Sequence, residues 1–265
     1  MIMGLSHVAF GCSDIEAATA RLIGFGYAVR FDAPALENHA AKTPFLSRYQ
    51  PKHHIRALSA EGAMAIELLD HGGLVGEQAA ALIPVFRSLA PCPDWQARAL
   101  DDLPISAEGL KSLCNALGKA PLAFHDPALS MTLMWVAATG DAPGLHACAL
   151  PTADTGATVA LLGQLRFRPD ASGLWSLLTP LPALQARLIP VAAKQAAGFS
   201  DDPRLDAPGC ACLALMARGT DRLPMPDALQ GHRVSFSLPV NGKDSRITLA
   251  QPERGPIIEL VDQTT

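Results

Sequence analysis

What the sequence has little of excludes several classes of protein. Only 5% of the 265 residues are aromatic and 17% are charged, and 21 Lys and Arg face 25 Asp and Glu. A chain of this composition has neither a basic surface for a phosphate backbone nor a platform for stacking bases. No apolar run reaches the roughly 18 residues that a membrane-spanning helix needs. We therefore expect no nucleic-acid partner and no membrane insertion.

The cysteines and the first residues of the chain indicate a reducing compartment. The six cysteines lack the dense, even spacing of a secreted disulfide framework. Residues 1–7 have neither the basic start nor the apolar stretch of a secretory signal. We expect a cytoplasmic protein with free thiols, and the 49% hydrophobic content supports one large folded domain or two smaller ones.

Residues 1–72 contain the most regular pattern. Ser13 and Glu16 have the spacing of a capping box, which predicts that a helix begins at that point. Apolar residues recur at helical spacing until a Gly-Phe-Gly sequence ends the helix. The predicted order is strand, helix, strand, strand, strand, with the strands at residues 5–10, 27–31, 54–58 and 63–69.

The same order returns later in the chain, which indicates an internal repeat. A strand at 145–150 is followed by Asp154 as a helix cap, and further units occupy about 144–195 and 209–262. Within residues 73–143 the sequence pattern predicts helices at 78–89 and 106–117 and a strand at 131–138. This middle region is either a degraded module or a helical insertion. The predicted organisation is 1–72, 73–143 and 144–265.

Three segments resemble the vicinal oxygen chelate superfamily, which includes glyoxalase I, extradiol ring-cleaving dioxygenases and bleomycin-resistance proteins. They are the opening strand, in which His7 stands seven residues before Asp14, the strand that carries Glu67, and the closing strand that carries Glu259. The resemblance implies an α+β fold in which repeated β-α-β-β-β modules form curled, cup-shaped mixed sheets with helices on the outside.

The resemblance also implies a metal site. In this superfamily the first and fourth strands of a module supply the ligands, which carries over to His7, Glu67, His146 and Glu259. The implied cofactor is a divalent metal (Fe, Mn, Zn, Ni, Co or Mg), with Glu67 or Glu259 as the catalytic base. Strand alternation agrees, because each glutamate lies between apolar neighbours and therefore points to the opposite face.

Three functions stay open at the level of sequence. The first is a glyoxalase-like lyase, isomerase or epimerase that chelates vicinal oxygens of a small substrate and stabilises an enediolate. The second is a metal-free ligand-binding or antibiotic-resistance protein, with Trp135, Trp175 and Phe236 lining the cup. The third is an extradiol dioxygenase, which is disfavoured because Cys212 stands where that group has its second histidine.

The remaining predictions concern partners and the other histidines. We expect a small-molecule ligand and a homodimer as the assembly to test. His53, His54, His71 and His232 lie at turns or strand edges, which predicts surface positions. His125 is a candidate contact to substrate.

Overall fold

The computed structural model describes residues 1–138, 140, 142–177, 179, 181, 184–219, 226–229, 232–240, 243–253 and 255–263. Its helices are α1 (Ile15–Gly24), α2 (Ala107–Leu117) and α3 (Thr155–Gln164), with short 3-10 helices at Ala40–Phe45, Leu100–Asp102 and Asp227–Leu229. Its strands are β1 (Ile2–Gly11), β2 (Ala28–Glu37), β3 (Lys52–Ser59), β4 (Ile66–Asp70), β5 (Gln78–Ala79), β6 (Ile83–Ser88), β7 (Gln96–Arg98), β8 (Leu122–Asp126), β9 (Met131–Ala137), β10 (Gly144–Thr152), β11 (Phe167–Pro169), β12 (Trp175–Leu177), β13 (Arg187–Ala192), β14 (Phe199–Ser200), β15 (Gly209–Ala217), β16 (His232–Val240), β17 (Lys243–Gln251) and β18 (Ile257–Gln263).

Two mixed sheets of eight strands each make up most of the fold. The first, which we call the terminal sheet, has the order β16-β17-β18-β15-β1-β4-β3-β2. The second, the middle sheet, has the order β11-β12-β13-β10-β6-β9-β8-β7. In each sheet two antiparallel strands meet at the centre, β1 with β15 and β6 with β10, and a parallel strand flanks each of them. The predicted α+β class with curled mixed sheets is confirmed.

The helices begin at side-chain caps. Asp14 accepts a hydrogen bond from the amide of Ala17 at 2.9 Å, so α1 is capped one residue later than the capping box predicts. Asp154 caps α3 in the same way, with a 2.9 Å bond from the amide of Ala157. Among the described residues, no helix is both long and apolar enough to cross a membrane.

The middle region contains strands where one helix was predicted. Residues 83–88 form β6, a central strand of the middle sheet, so the predicted helix at 78–89 is wrong. A central strand buried on both faces is a continuous apolar run, and such a run has no period that separates it from a buried helix. The helix predicted at 106–117 and the strand predicted at 131–138 are confirmed as α2 and β9.

The apolar core covers the two sheets in different ways. One large apolar cluster joins a face of the terminal sheet, a face of the middle sheet, α1 and α3. The other face of the middle sheet is covered by α2, whose Leu113 and Leu117 pack with Val85 and Val191. At Gly109 the helix lies so close that an added Cβ would stand 2.4 Å from a backbone oxygen of β13. Unlike α1 and α3, therefore, α2 covers the face of the middle sheet that points away from the large core.

Candidate functional site

The face of the terminal sheet that points away from the large core carries four donor side chains from four central strands. Ala9 of β1 lies opposite both Glu67 of β4 and Cys212 of β15. Glu259 of β18 pairs with the residue two positions after Cys212. Because alternate residues of a strand share a face, His7, two positions before Ala9, points to the same side. The sheet thus gathers an imidazole, a thiol and two carboxylates.

His7 and Glu67 form the closest pair. The Nε2 of His7 lies 3.3 Å from Oε1 of Glu67, with side chains only 11% and 15% exposed. The contact is one of charge, because buried Nε2 lacks the alignment of a hydrogen bond with any described group. On the other side of the ring, Nδ1 lies 3.2 Å from the hydroxyl of Ser6. The imidazole is therefore held with Nε2 toward the two carboxylates.

The second pair is Cys212 and Glu259. The thiol sulfur lies 4.0 Å from Oε2 of the carboxylate, and Cys212 is fully buried. Burial, followed by the charges of Glu259 and Glu67, raises the pKa of the Cys212 thiol well above its usual value. The thiol is therefore protonated at neutral pH.

Opposing effects set the pKa values of the three other groups. Burial alone would lower the pKa of His7, but the carboxylates of Glu67 and Glu259 outweigh it and raise that pKa. Burial alone would raise the pKa of Glu67, but His7 and then Lys42 outweigh it and lower that pKa. The pKa of Glu259 is raised by burial, opposed by His7 and reinforced by Glu67. The two carboxylates therefore differ in basicity, and Glu259 is the more basic.

The segment from β2 to β3 crosses over this face. His39 stacks on Phe236 of the far edge strand β16, with ring centroids 4.5 Å apart, and the Nζ of Lys42 lies 5.9 Å from the same ring. The carbonyl of Phe45 accepts a 2.9 Å hydrogen bond from the amide of Leu205. Residues 39–46, the crossing segment, therefore cover the site and bring the Lys42 ammonium to it.

His146 lies in the other sheet, apart from the three residues expected beside it. It belongs to β10 of the middle sheet, where Nε2 lies 2.6 Å from Nη2 of Arg87 and Nδ1 lies 3.4 Å from Nη1 of Arg187. The expected convergence of His7, Glu67, His146 and Glu259 is therefore not met. Cys212 supplies the fourth position instead.

The two repeats explain the displacement. Seven positions before the cap Asp14 stands His7, whereas seven positions before the cap Asp154 stands Ala147. Both strands have a bulge at the preceding residue, which is His146 in β10. The fourth-strand counterpart of Glu67 in this repeat is Ile189, and both counterparts are buried beneath α2. Counting from the helix caps would have corrected the prediction.

Two more histidines lie on the same face and were missed. His53 and His71 are 3% and 2% exposed, so the prediction of surface positions is wrong for both. His53 shares its side of β3 with the buried Ile55, and that alternation was the available signal. His232 is exposed as predicted, and His54 is partly exposed and bonded to Asp32.

The other candidate ligand contacts lie in different parts of the molecule. Phe236 lies on the site-bearing face, under the crossing segment. Trp135 and Trp175 pack against the large core between the sheets. His125 lies on β8 near the edge of the middle sheet, where burial lowers its pKa. Of these, only Phe236 is placed to contact a ligand at the candidate site.

The donor set fits a divalent cation. Imidazole nitrogen and carboxylate oxygen are ordinary ligands for Fe, Mn, Ni, Co and Zn, and thiolate is a further ligand for the softer of these. The buried Nε2 of His7, with no hydrogen-bond partner among the described groups, is the atom such an ion would take up. Within the described ranges, no three His, Cys, Asp or Glu side chains stand close enough together to share one ion.

Comparison with known proteins gives a consistent fold. No family model matches the sequence, and no curated protein matches it. Glyoxalase I from Zea mays superimposes with a TM-score of 0.58 at 12% identity, over 98% of this chain and 92% of that chain. A "putative dioxygenase" from Bacillus subtilis superimposes with a TM-score of 0.51 at 11% identity, over 100% of this chain and 86% of that chain. The chain therefore has the fold of the vicinal oxygen chelate superfamily.

Proposed function

We propose that this chain is a divalent-metal-dependent, glyoxalase-like enzyme of the lyase, isomerase or epimerase type. It would act on a small substrate that presents neighbouring oxygens. The observation that carries the proposal is the placement of His7, Glu67 and Glu259 on one covered face of the terminal sheet. These are the first-strand and fourth-strand positions at which the superfamily holds its metal.

The side chains have distinct roles in this proposal. His7, Glu67 and Glu259 would hold the metal, with Cys212 at the fourth position, and the bound metal would act as a Lewis acid on a substrate oxygen. The hydroxyl of Ser6 orients the His7 ring so that Nε2 faces the site. Glu259 has the raised pKa and is the more basic carboxylate, so it is better placed to accept a substrate proton.

The crossing segment contributes by excluding water. Phe45 is only 1% exposed and packs with apolar residues of the site-bearing face. In a site of low polarity the charges of Glu67, Glu259 and Lys42 act more strongly on a bound substrate than they would in water. Residues 39–46 must therefore move to admit a substrate and then return.

A metal-free ligand-binding protein is the second candidate. The observation in its favour is Lys42, whose ammonium already acts on Glu67 and Glu259 as a metal would. Phe45 and Phe236 supply apolar contact area on the same face. An extradiol dioxygenase is less well supported, because the four ligand positions hold one imidazole rather than the two of the usual iron site.

Metal content tests the proposal directly. Protein purified from medium that contains Mn, Fe, Co, Ni and Zn should retain about one equivalent of metal per chain, measured by plasma mass spectrometry. His7→Ala and Glu259→Gln should lose it. His146→Ala and Glu61→Gln are the matched controls, because the first lies in the other sheet and the second in an exposed turn. A wild-type protein without metal, or equal metal in all five proteins, would favour the metal-free candidate.

Reaction class needs a second assay. If proton abstraction is the chemistry, the metal-loaded protein should exchange hydrogen for deuterium beside the carbonyl of a hydroxyketone in a substrate panel, followed by proton NMR. The Glu259→Gln variant should lose that exchange. Consumption of oxygen with a catechol panel, without such exchange, would instead indicate the dioxygenase.

A further inference from the structure

Three buried polar side chains form a cluster at one end of the site-bearing face. Asn38, His53 and His71 are 1%, 3% and 2% exposed. His53 extends from β3. His71 directly follows β4, four positions after Glu67. The two imidazole rings meet edge to face, with centroids 4.8 Å apart. The cluster is thus distinct from the candidate metal ligands and shares their sheet.

The cluster contains four buried polar atoms without a hydrogen bond to any described residue. They are both ring nitrogens of His53, Nε2 of His71 and Oδ1 of Asn38. A single buried polar group left unsatisfied costs about 1–3 kcal/mol, and a domain is typically stable by only about 5–15 kcal/mol. Four such atoms in one place need hydrogen-bond partners that the described residues do not supply.

The hydrogen bonds that are made show what the cluster offers. The Nδ2 of Asn38 donates to the carbonyl of Gln50 at 2.9 Å, which fixes the orientation of the amide. The same nitrogen lies 3.5 Å from Nδ1 of His71, so that ring nitrogen is the acceptor and Nε2 carries the hydrogen. His53, as a neutral imidazole, has one N–H donor and one acceptor. The unsatisfied atoms are therefore two donors and two acceptors.

The charge that acts most strongly on the two rings is positive. Burial, and then the charge of Lys42, lowers the pKa of His53 to about 2 and that of His71 to about 4, so both rings are neutral at pH 7. The carboxylates whose charges act on His71 are, in order of effect, Asp206, Asp70 and Glu67. Both oxygens of Asp206 accept backbone hydrogen bonds of 2.8 Å, and an oxygen of Asp70 accepts from two backbone amides. Lys42 has no salt bridge among the described residues and remains available to an anion.

We propose that Asn38, His53, His71 and Lys42 form a subsite for a small hydroxycarboxylate. The carboxylate would accept hydrogen bonds from Nε2 of His71, from the N–H of His53 and from the Lys42 ammonium. The hydroxyl would donate to Oδ1 of Asn38 or to the remaining nitrogen of His53. The carboxylate thus satisfies both unsatisfied donors, and the single hydroxyl satisfies one of the two acceptors, beside the positive charge of Lys42.

This subsite names a substrate class for the proposed function, and that part of the inference rests on the proposed function. The charge of Lys42 acts on His7, Glu67 and Glu259 as well as on His53 and His71, so the same ammonium is shared by the subsite and the candidate metal ligands. A substrate held by its acid group at the subsite could therefore direct its other oxygens toward His7 and Glu67. Because Lys42 belongs to the crossing segment, the bound acid would also hold that segment against the sheet.

The test uses metal-free protein, so that its outcome is independent of metal binding. Wild-type protein dialysed against a chelator is titrated with lactate, acetate and ethanol, and binding is followed by thermal shift and by 15N NMR of labelled histidines. Lactate should raise Tm and shift the signals of His53 and His71, acetate should act more weakly, and ethanol should have no effect. Lys42→Met and His53→Phe should each weaken lactate binding about tenfold or more, whereas Lys52→Met, a matched change at an exposed lysine of β3, should not.

Several outcomes would overturn the proposal. One is the absence of any lactate-dependent change in wild-type protein, as expected if the cluster holds only water. Another is equal lactate binding by the wild type, Lys42→Met and His53→Phe. Lys42 is partly exposed and its replacement leaves the core intact, so the test survives if His53→Phe fails to fold. If the protein holds metal but does not bind lactate, the subsite is refuted and the proposed function stands. If it binds lactate but holds no metal, the subsite stands and the metal-dependent function is refuted.

Discussion

The buried histidine pair predicts that the protein loses stability as the pH falls below neutrality. In the folded protein the pKa is about 2 for His53 and about 4 for His71, against an ordinary value of 6.5. Below pH 6.5 the unfolded chain therefore binds protons that the folded protein does not, and the free energy of unfolding falls with pH. The window extends from pH 6.5 down to about 4 for His71 and further down for His53.

The size of the effect follows from the proton count. Each histidine held neutral costs about 1.4 kcal/mol per pH unit once the pH is well below 6.5, or about 2 kcal/mol between pH 7 and pH 5. The pair together should lower the free energy of unfolding by about 4 kcal/mol over that range. His7 acts in the opposite direction, because its pKa is raised in the folded state and its contribution is present at low pH and lost as the pH rises.

Single replacements isolate the contribution of each ring. Urea unfolding, followed by tryptophan fluorescence, should be measured from pH 5 to pH 7 in buffers that contain no carboxylate. His53→Phe should flatten the dependence on pH by one proton and raise stability most at pH 5, and His71→Phe should do the same. His232→Phe, at an exposed position, is the control and should follow the wild type. If the curves of wild type and His53→Phe run parallel, the rings are not held neutral and the argument from burial fails.

Three further predictions concern the scaffold, and urea unfolding checks each. Tyr27→Phe should cost about 1–3 kcal/mol, because the buried hydroxyl donates to the carbonyl of Met64 at 2.8 Å and accepts from the amide of Leu145 at 3.0 Å, and both partners would be left unsatisfied. Gly109→Ala should destabilise the protein by about 1–3 kcal/mol, although the same change at an exposed helix site stabilises by roughly 0.5–1 kcal/mol, because its methyl group would meet the backbone of β13. Asp154→Ala should cost only about 1 kcal/mol, the usual loss for a helix cap, and a larger loss would mean that Asp154 does more than cap α3.

The sequence predicted the terminal sheet better than the middle sheet. The first strand, α1 and the positions of Glu67 and Glu259 follow from alternation and cap residues, which are local signals. The strand β6 and the role of α2 do not, because their burial depends on which parts of the chain pack together. Local periodicity carries no information on that choice.

The candidate site shows the same division. The family resemblance implied His7, Glu67 and Glu259 as one set, and strand alternation agreed for the two glutamates, whereas His146 was expected one residue away from the true counterpart of His7. A bulge shifts the facing of every residue before it, and no residue type in the sequence marks that bulge. The crossing segment contacts β16 through residues almost two hundred positions apart in the sequence, and no local pattern encodes that contact.

The helix α2 has a consequence for how the molecule can be used and altered. Although the architecture is built from two similar halves, one half has its hollow filled by its own chain, so saturation with any ligand should end at a single equivalent per polypeptide. The middle sheet, which α2 covers, supports the terminal sheet, which carries the candidate site. Loss of a side chain there should change thermal tolerance while leaving affinity intact, which separates scaffold variants from functional ones in a mutational screen.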